Sequence, residues 1–87
     1  MFEVEITPDG LRHLNRLPAK VRDAAIQAIL GPIAEHPRRV GTPLLGELTG
    51  LYSARRGDYR VVYEIDDDRK VVIVHRVQHR RVAYRPR

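Results

Sequence analysis

The run Tyr59-Arg60-Val61-Val62-Tyr63-Glu64-Ile65, the polar link Asp66-Asp67-Asp68-Arg69 and the run Val71 to Val77 leave few folds open. Both apolar runs are rich in valine, isoleucine and tyrosine, which suit a pleated surface, and so short a polar link joins strands that pair antiparallel. In the first run Tyr59, Val61, Tyr63 and Ile65 share one face and Val62 lies on the other. Apolar residues on both faces mark a central strand, and the same alternation puts Arg60 on the face of Val62 and Glu64. A third run, Leu51 to Arg56, is divided from Tyr59 by Gly57 and Asp58, a turn-forming pair. Pairing of these strands is expected to bring Arg60 and the start of the C-terminal segment to one end of a sheet.

Upstream, Phe2 to Ile6 alternates apolar Phe2, Val4 and Ile6 with Glu3 and Glu5, the pattern of a half-buried strand. Thr7 suits a helix cap and Pro8 a first turn, after which Leu11, Leu14 and Leu17 recur at helical spacing. Pro18 marks a break. Val21, Ala25, Ala28, Ile29 and Ile33 predict a second helix, its end disturbed by Gly31 and Pro32. His36 to Gly50, with two prolines and three glycines, reads as a loop under which Leu44, Leu45 and Leu48 are expected to tuck. The expected fold is α+β in the order β-α-α-β-β-β: a small, mainly antiparallel sheet with a helical hairpin on one face, in one domain spanning residues 1–87.

Charge is unevenly spread. Residues 1–68 hold nine Lys or Arg against eleven Asp or Glu, whereas residues 69–87 hold seven basic residues and no acid. A cationic patch of that kind favours a polyanion, with binding that weakens as salt rises. Fourteen of the sixteen basic residues are arginine, which grips phosphate but does not serve as an ordinary general base. The chain has no cysteine, no basic-then-apolar leader and no apolar run near the ~20 residues a membrane span needs, so a cytoplasmic protein without membrane contact is expected.

A metal or other cofactor is not expected. His75 and His79 stand four apart, about 13 Å along a strand, and no carboxylate lies between Arg69 and Arg87. His13 and His36 read as surface residues. The tripeptide Arg56-Gly57-Asp58 is accounted for by its turn. Phosphate chemistry rests on Arg55, Arg60, His79, Arg80, Arg81 and Tyr84. RNA is cut without a metal when its 2′-hydroxyl loses a proton and attacks the adjacent phosphate, provided a donor protonates the 5′ leaving oxygen and cations hold the charge. His79 and Tyr84 are the proton-moving groups on offer, and Arg60 and Arg80 a bidentate clamp. The plainer alternatives are a solvated basic tail with Tyr84 packed on the sheet, and an Arg60 that pairs with Glu64.

Ile6 to Pro18 (ITPDGLRHLNRLP), Pro43 to Asp66 (PLLGELTGLYSARRGDYRVVYEID) and His79 to Arg85 (HRRVAYR) together resemble the RelE/ParE superfamily of small bacterial and archaeal toxins. The resemblance implies a RelE-like toxin fold and, for a RelE-type member, cleavage of mRNA in the ribosomal A site. It implies the ribosome and mRNA as partners, a cognate RelB-like antitoxin that wraps and silences the toxin, and contact with operator DNA only through that antitoxin. Matching residues imply that Arg60 contacts the scissile phosphate, with Arg80, Tyr84 and His79 completing the catalytic set and Arg55, Arg56, Arg81 and Arg85 binding RNA. The family's pattern has lysines in the strand before the Tyr-Arg pair, where this chain has Leu51 and Ser53, so the general base stays open between His79 and Tyr84. ParE-type members share the fold and poison DNA gyrase without cutting RNA, which is the alternative function.

Overall fold

The computed structural model describes residues 1–79. Thr7 opens the first helix as expected: its Oγ1 accepts from the Gly10 amide at 3.0 Å, and Pro8 occupies the first turn, where a missing N–H loses nothing. Helix α1 (Pro8–Arg16) follows strand β1 (Glu3–Ile6), and Pro18 separates it from α2 (Ala19–Ala28). The disturbance expected at Gly31 and Pro32 takes a specific form, a π-helical turn over Ile29–Ile33. The wide turn admits a proline that can donate no backbone hydrogen bond, and it still delivers Ile29 and Ile33 to the core.

His36 to Gly50 is more ordered than a loop. Pro37 starts a short helix α3 (Pro37–Val40), and Thr42–Pro43 forms a two-residue edge strand β2 before a 3-10 turn at Gly46–Leu48. A proline is tolerated in β2 because an edge strand needs only one side of its ladder. Leu45 does not tuck under this segment: it is 85% exposed, whereas Leu44 and Leu48 are half-buried. The three remaining strands, β3 (Leu51–Arg56), β4 (Tyr59–Asp66) and β5 (Val71–His79), fall within two residues of the expected runs.

The sheet has the order β1-β5-β4-β3-β2, with β4 in the middle and β1 parallel to β5; every other pair is antiparallel. Leu14, Ala25, Ile29 and Ile33 from the helical side pack on Ala54, Val61, Tyr63, Val72, Val74 and Val77. One helix comes especially close. A Cβ at Gly10 would lie 2.8 Å from the Val74 carbonyl oxygen, so this position takes no larger residue without movement. Beneath α3, the Tyr63 hydroxyl donates to the Pro37 carbonyl at 2.6 Å, and Arg38 grips Asp67 at 2.8 and 2.5 Å, tying α3 to the β4–β5 hairpin.

Candidate active site

Strand register decides which arginines meet. Arg55, Arg60 and Gln78 occupy one row across β3, β4 and β5, and Ser53, Val62 and Arg76 occupy the next. Side chains alternate across a sheet, so these two rows lie on the face turned away from the helices. Ser53 and Val62 form a closed floor, 5% and 2% exposed. Arg60 is half-buried and Arg55 exposed, its Nε donating to the Gly57 carbonyl at 3.4 Å. The outer face thus carries Arg55, Arg60 and Arg76 over a buried base of one hydroxyl and one valine, an arrangement suited to holding a phosphodiester.

Pairing shifts once, between Val62 and Tyr63: Val62 faces Arg76, Tyr63 faces Val74, and His75 is the extra residue. This bulge keeps Val72, Val74 and Val77 all buried on the core side, despite their odd spacing, and leaves His75 and Arg76 both outward. His75 Nε2 lies 3.0 Å from Glu64 Oε1, with both side chains partly exposed. Glu64 therefore meets His75, where the sequence offered Arg60 as its pairing partner. Further along the same face, Glu5 of β1 meets Arg69 at 2.5 Å. The outer face is basic at the Arg60 end and acidic toward Glu5 and Glu64.

The predicted site residues divide between the two faces. Arg56, Tyr59 and His79 form the row next to Arg55, Arg60 and Gln78, and alternation turns them toward the helices. Tyr59 and His79 rings meet edge to face, centroids 5.5 Å apart. Arg56 and Tyr59 line a groove of about 470 Å³ against Lys20, Val21 and Ala24 of α2. Arg60 and His79 are thus neighbours in register on opposite sides of the sheet. Arg80, Arg81, Tyr84 and Arg85 lie outside the described residues. Among the described residues no group of His, Cys, Asp and Glu is placed to hold a metal ion.

His13, read from the sequence as a surface residue, has a defined task. β1 ends at Ile6, leaving the far half of β5 without a neighbour on that edge. There the Val77 backbone amide donates to His13 Nδ1 at 3.2 Å, and the side-chain Nε2 of Gln78 lies 3.2 Å from His13 Nε2. Burial and the nearby Arg16, Arg76 and Arg12 hold the imidazole below its ordinary value, which favours the neutral ring this acceptor role requires. The signal was present in the spacing: His13 lies on the same helical face as Gly10, Leu14 and Leu17.

Residues 4–84 match the model of a family described as ParE toxin of type II toxin-antitoxin system, parDE. The chain is 45% identical over 84 residues to Toxin RelE of Mycobacterium tuberculosis, an alignment covering 97% of this chain and 87% of that one. To Toxin RelG of the same organism it is 42% identical over 84 residues, covering 97% of each. The fold superposes on the toxin-antitoxin complex RelBE2 from M. tuberculosis with a TM-score of 0.87 at 41% identity, over 90% of this chain and 96% of that one. The isolated E. coli RelE toxin gives a TM-score of 0.74 at 24% identity, over 91% and 84% of the two chains, a likeness of fold alone.

Proposed function

The chain belongs to the family of ParE toxins of type II toxin-antitoxin systems, and we propose that within it this protein is a ribosome-dependent endoribonuclease that cuts mRNA and so inhibits translation. The observation that carries the reading is the outer-face row of Arg55 and Arg60 beside Arg76, above the buried floor of Ser53 and Val62. Arg60 and Arg80 hold the scissile phosphate and stabilise its charge, and Tyr84 is available to move a proton, whereas His79, on the helix side of the sheet, would have to reach the phosphate around the strand end. Arg55, Arg81 and Arg85 hold the RNA backbone, and Arg56 adds its charge from the helix side of the same strand end. The RNA 2′-hydroxyl is the nucleophile and no metal takes part. Few groups on so small a face can orient that hydroxyl, so the ribosome supplies the alignment. A RelB-like antitoxin silences the toxin, in keeping with the RelBE2 complex, and the protein works in the cytoplasm.

The test is primer extension on a defined mRNA in a reconstituted translation mix, with and without ribosomes, using wild type, Arg60→Ala, Arg80→Ala and Tyr84→Phe. Breaks within codons that need the ribosome and vanish in the variants are expected. Intact transcripts together with inhibited DNA supercoiling would overturn the nuclease in favour of a gyrase poison.

A further inference from the structure

The geometry points to His75, oriented by Glu64, as the proton acceptor of the outer-face site. This inference rests on the nuclease reading and deepens it, because that reading has no settled base among the described residues. His79, the histidine favoured by sequence, turns to the helix side with Tyr59. Leu51 and Ser53, at the two outward positions of β3 nearest Glu64 and Val62, offer no amine.

His75 has three properties the role needs. It stands on the same face as Arg60, because the bulge turns it and Arg76 outward together. Its Nε2 is 3.0 Å from Glu64 Oε1, so the carboxylate takes the Nε2 hydrogen and leaves Nδ1 as the acceptor. The side chain is 34% exposed, open enough to be reached by substrate yet held in place by its partner. Along β4, Glu64 is four residues from Arg60, roughly 13 Å at strand spacing. His75, inserted opposite the step from Val62 to Tyr63, stands between the two in register. A ribose with its two phosphates fits such an interval.

Nδ1 of His75 takes the proton of the 2′-hydroxyl as the 2′-oxygen bonds to phosphorus. The bond from phosphorus to the 5′-oxygen of the next nucleotide breaks, that oxygen takes a proton from solvent water, and the products are a 2′,3′-cyclic phosphate and a free 5′-hydroxyl. Glu64 acts as a positioning residue that also stabilises the imidazolium. The charged groups on the same outer face are Glu64, which touches the ring, Arg60 of β4, Arg76 beside it, Arg55 of β3 and Glu5 of β1.

The experiment is the rate of ribosome-dependent cutting under single-turnover conditions, from pH 5 to pH 9, for wild type, His75→Gln, Glu64→Gln and Arg60→Ala, with thermal unfolding of each variant as the control for folding. His75→Gln should slow cutting by about 10² to 10⁴-fold, flatten the rise of rate with pH, and recover partly with added imidazole. Glu64→Gln should lower the rate less and displace the rising limb. Wild-type cutting with His75→Gln within about threefold and an unchanged profile overturns the inference and leaves the nuclease standing, since Arg60→Ala then remains the inactive variant. Absence of ribosome-dependent cutting by wild type overturns both.

Discussion

Arg55 stands directly opposite Arg60 across β3 and β4, so one cross-strand pair holds two guanidinium groups. Like charges placed this way destabilise a sheet by roughly 0.2 to 1 kcal/mol, a strain that a bound phosphate would relieve. Arg55→Thr should therefore raise the free energy of urea unfolding by about that amount at low salt, and the gain should shrink as sodium chloride is added. The same variant should bind a short single-stranded RNA more weakly in fluorescence anisotropy, with a shallower salt slope. A variant that lost stability along with affinity would show that the pair is not repulsive.

Tyr63 is fully buried, and burial pushes its hydroxyl up to about 12, so it stays a donor to Pro37 throughout the working pH range. Tyr63→Phe should cost about 1 to 3 kcal/mol in chemical denaturation, because the Pro37 carbonyl is left buried without its donor. A Cβ at Gly41 would run into the same hydroxyl. Gly41→Ala should thus destabilise by a similar route, and combining the two changes should cost less than their sum. Equal additivity would place the two effects in different contacts.

His13 ties stability to pH. Its pKa in the folded chain lies below the ordinary value of 6.5, so between those two values the unfolded chain binds more protons and unfolding is favoured as pH falls. The contribution is whole above pH 6.5 and is lost as pH drops through the folded value. Protonation puts a hydrogen on Nδ1, where the Val77 amide already points its own. His13→Phe should lower stability by about 1 kcal/mol at pH 7.5, and the gap from wild type should close at pH 5 in parallel urea titrations. A gap that stayed constant with pH would mean that His13 acts through packing alone.

Much of the fold was readable because local chemistry and long-range order agree. Asp66 to Arg69 turns the chain between two valine-rich strands, Thr7 and Pro8 start a helix, and Pro18 stops one; each signal acts over three or four residues and survives packing. The misses share a different cause. β2 and α3 lie in a Pro- and Gly-rich stretch and exist because of what they touch: Thr42 and Pro43 pair with Ser53 and Tyr52, and α3 covers Tyr63. Leu45 reads as a core residue by type and projects from a turn. The bulge at His75 has no local marker either; it appears only once Val74 and Val77 are both seen to be buried. For the site, alternation along β4 gave the face of Arg60, but the same rule had to cross that bulge before it could separate His79 from His75. The spacing of His13 with Gly10, Leu14 and Leu17 puts it on the packed face of its helix, but its neighbouring arginines make it read as solvated, and its task shows only with the unpaired edge of β5 beside it.

The pairing of β1 with β5 sets Glu3 beside Val71 and Ile6 beside Val74, joining the first strand made to the last. Synthesis runs from the N-terminus, so a nascent chain holding β1, the helices, β3 and β4 lacks the strand that joins β1 to β4 until Val72, Val74 and Val77 have emerged. The centre of the sheet and its outer face are complete only then. A chain stalled before Val71 should be cut readily by protease along its length, and one extended well past His79 should resist. In a member of a toxin family wired in this way, a partner that recognises the finished sheet finds its target only after the last described strand has emerged.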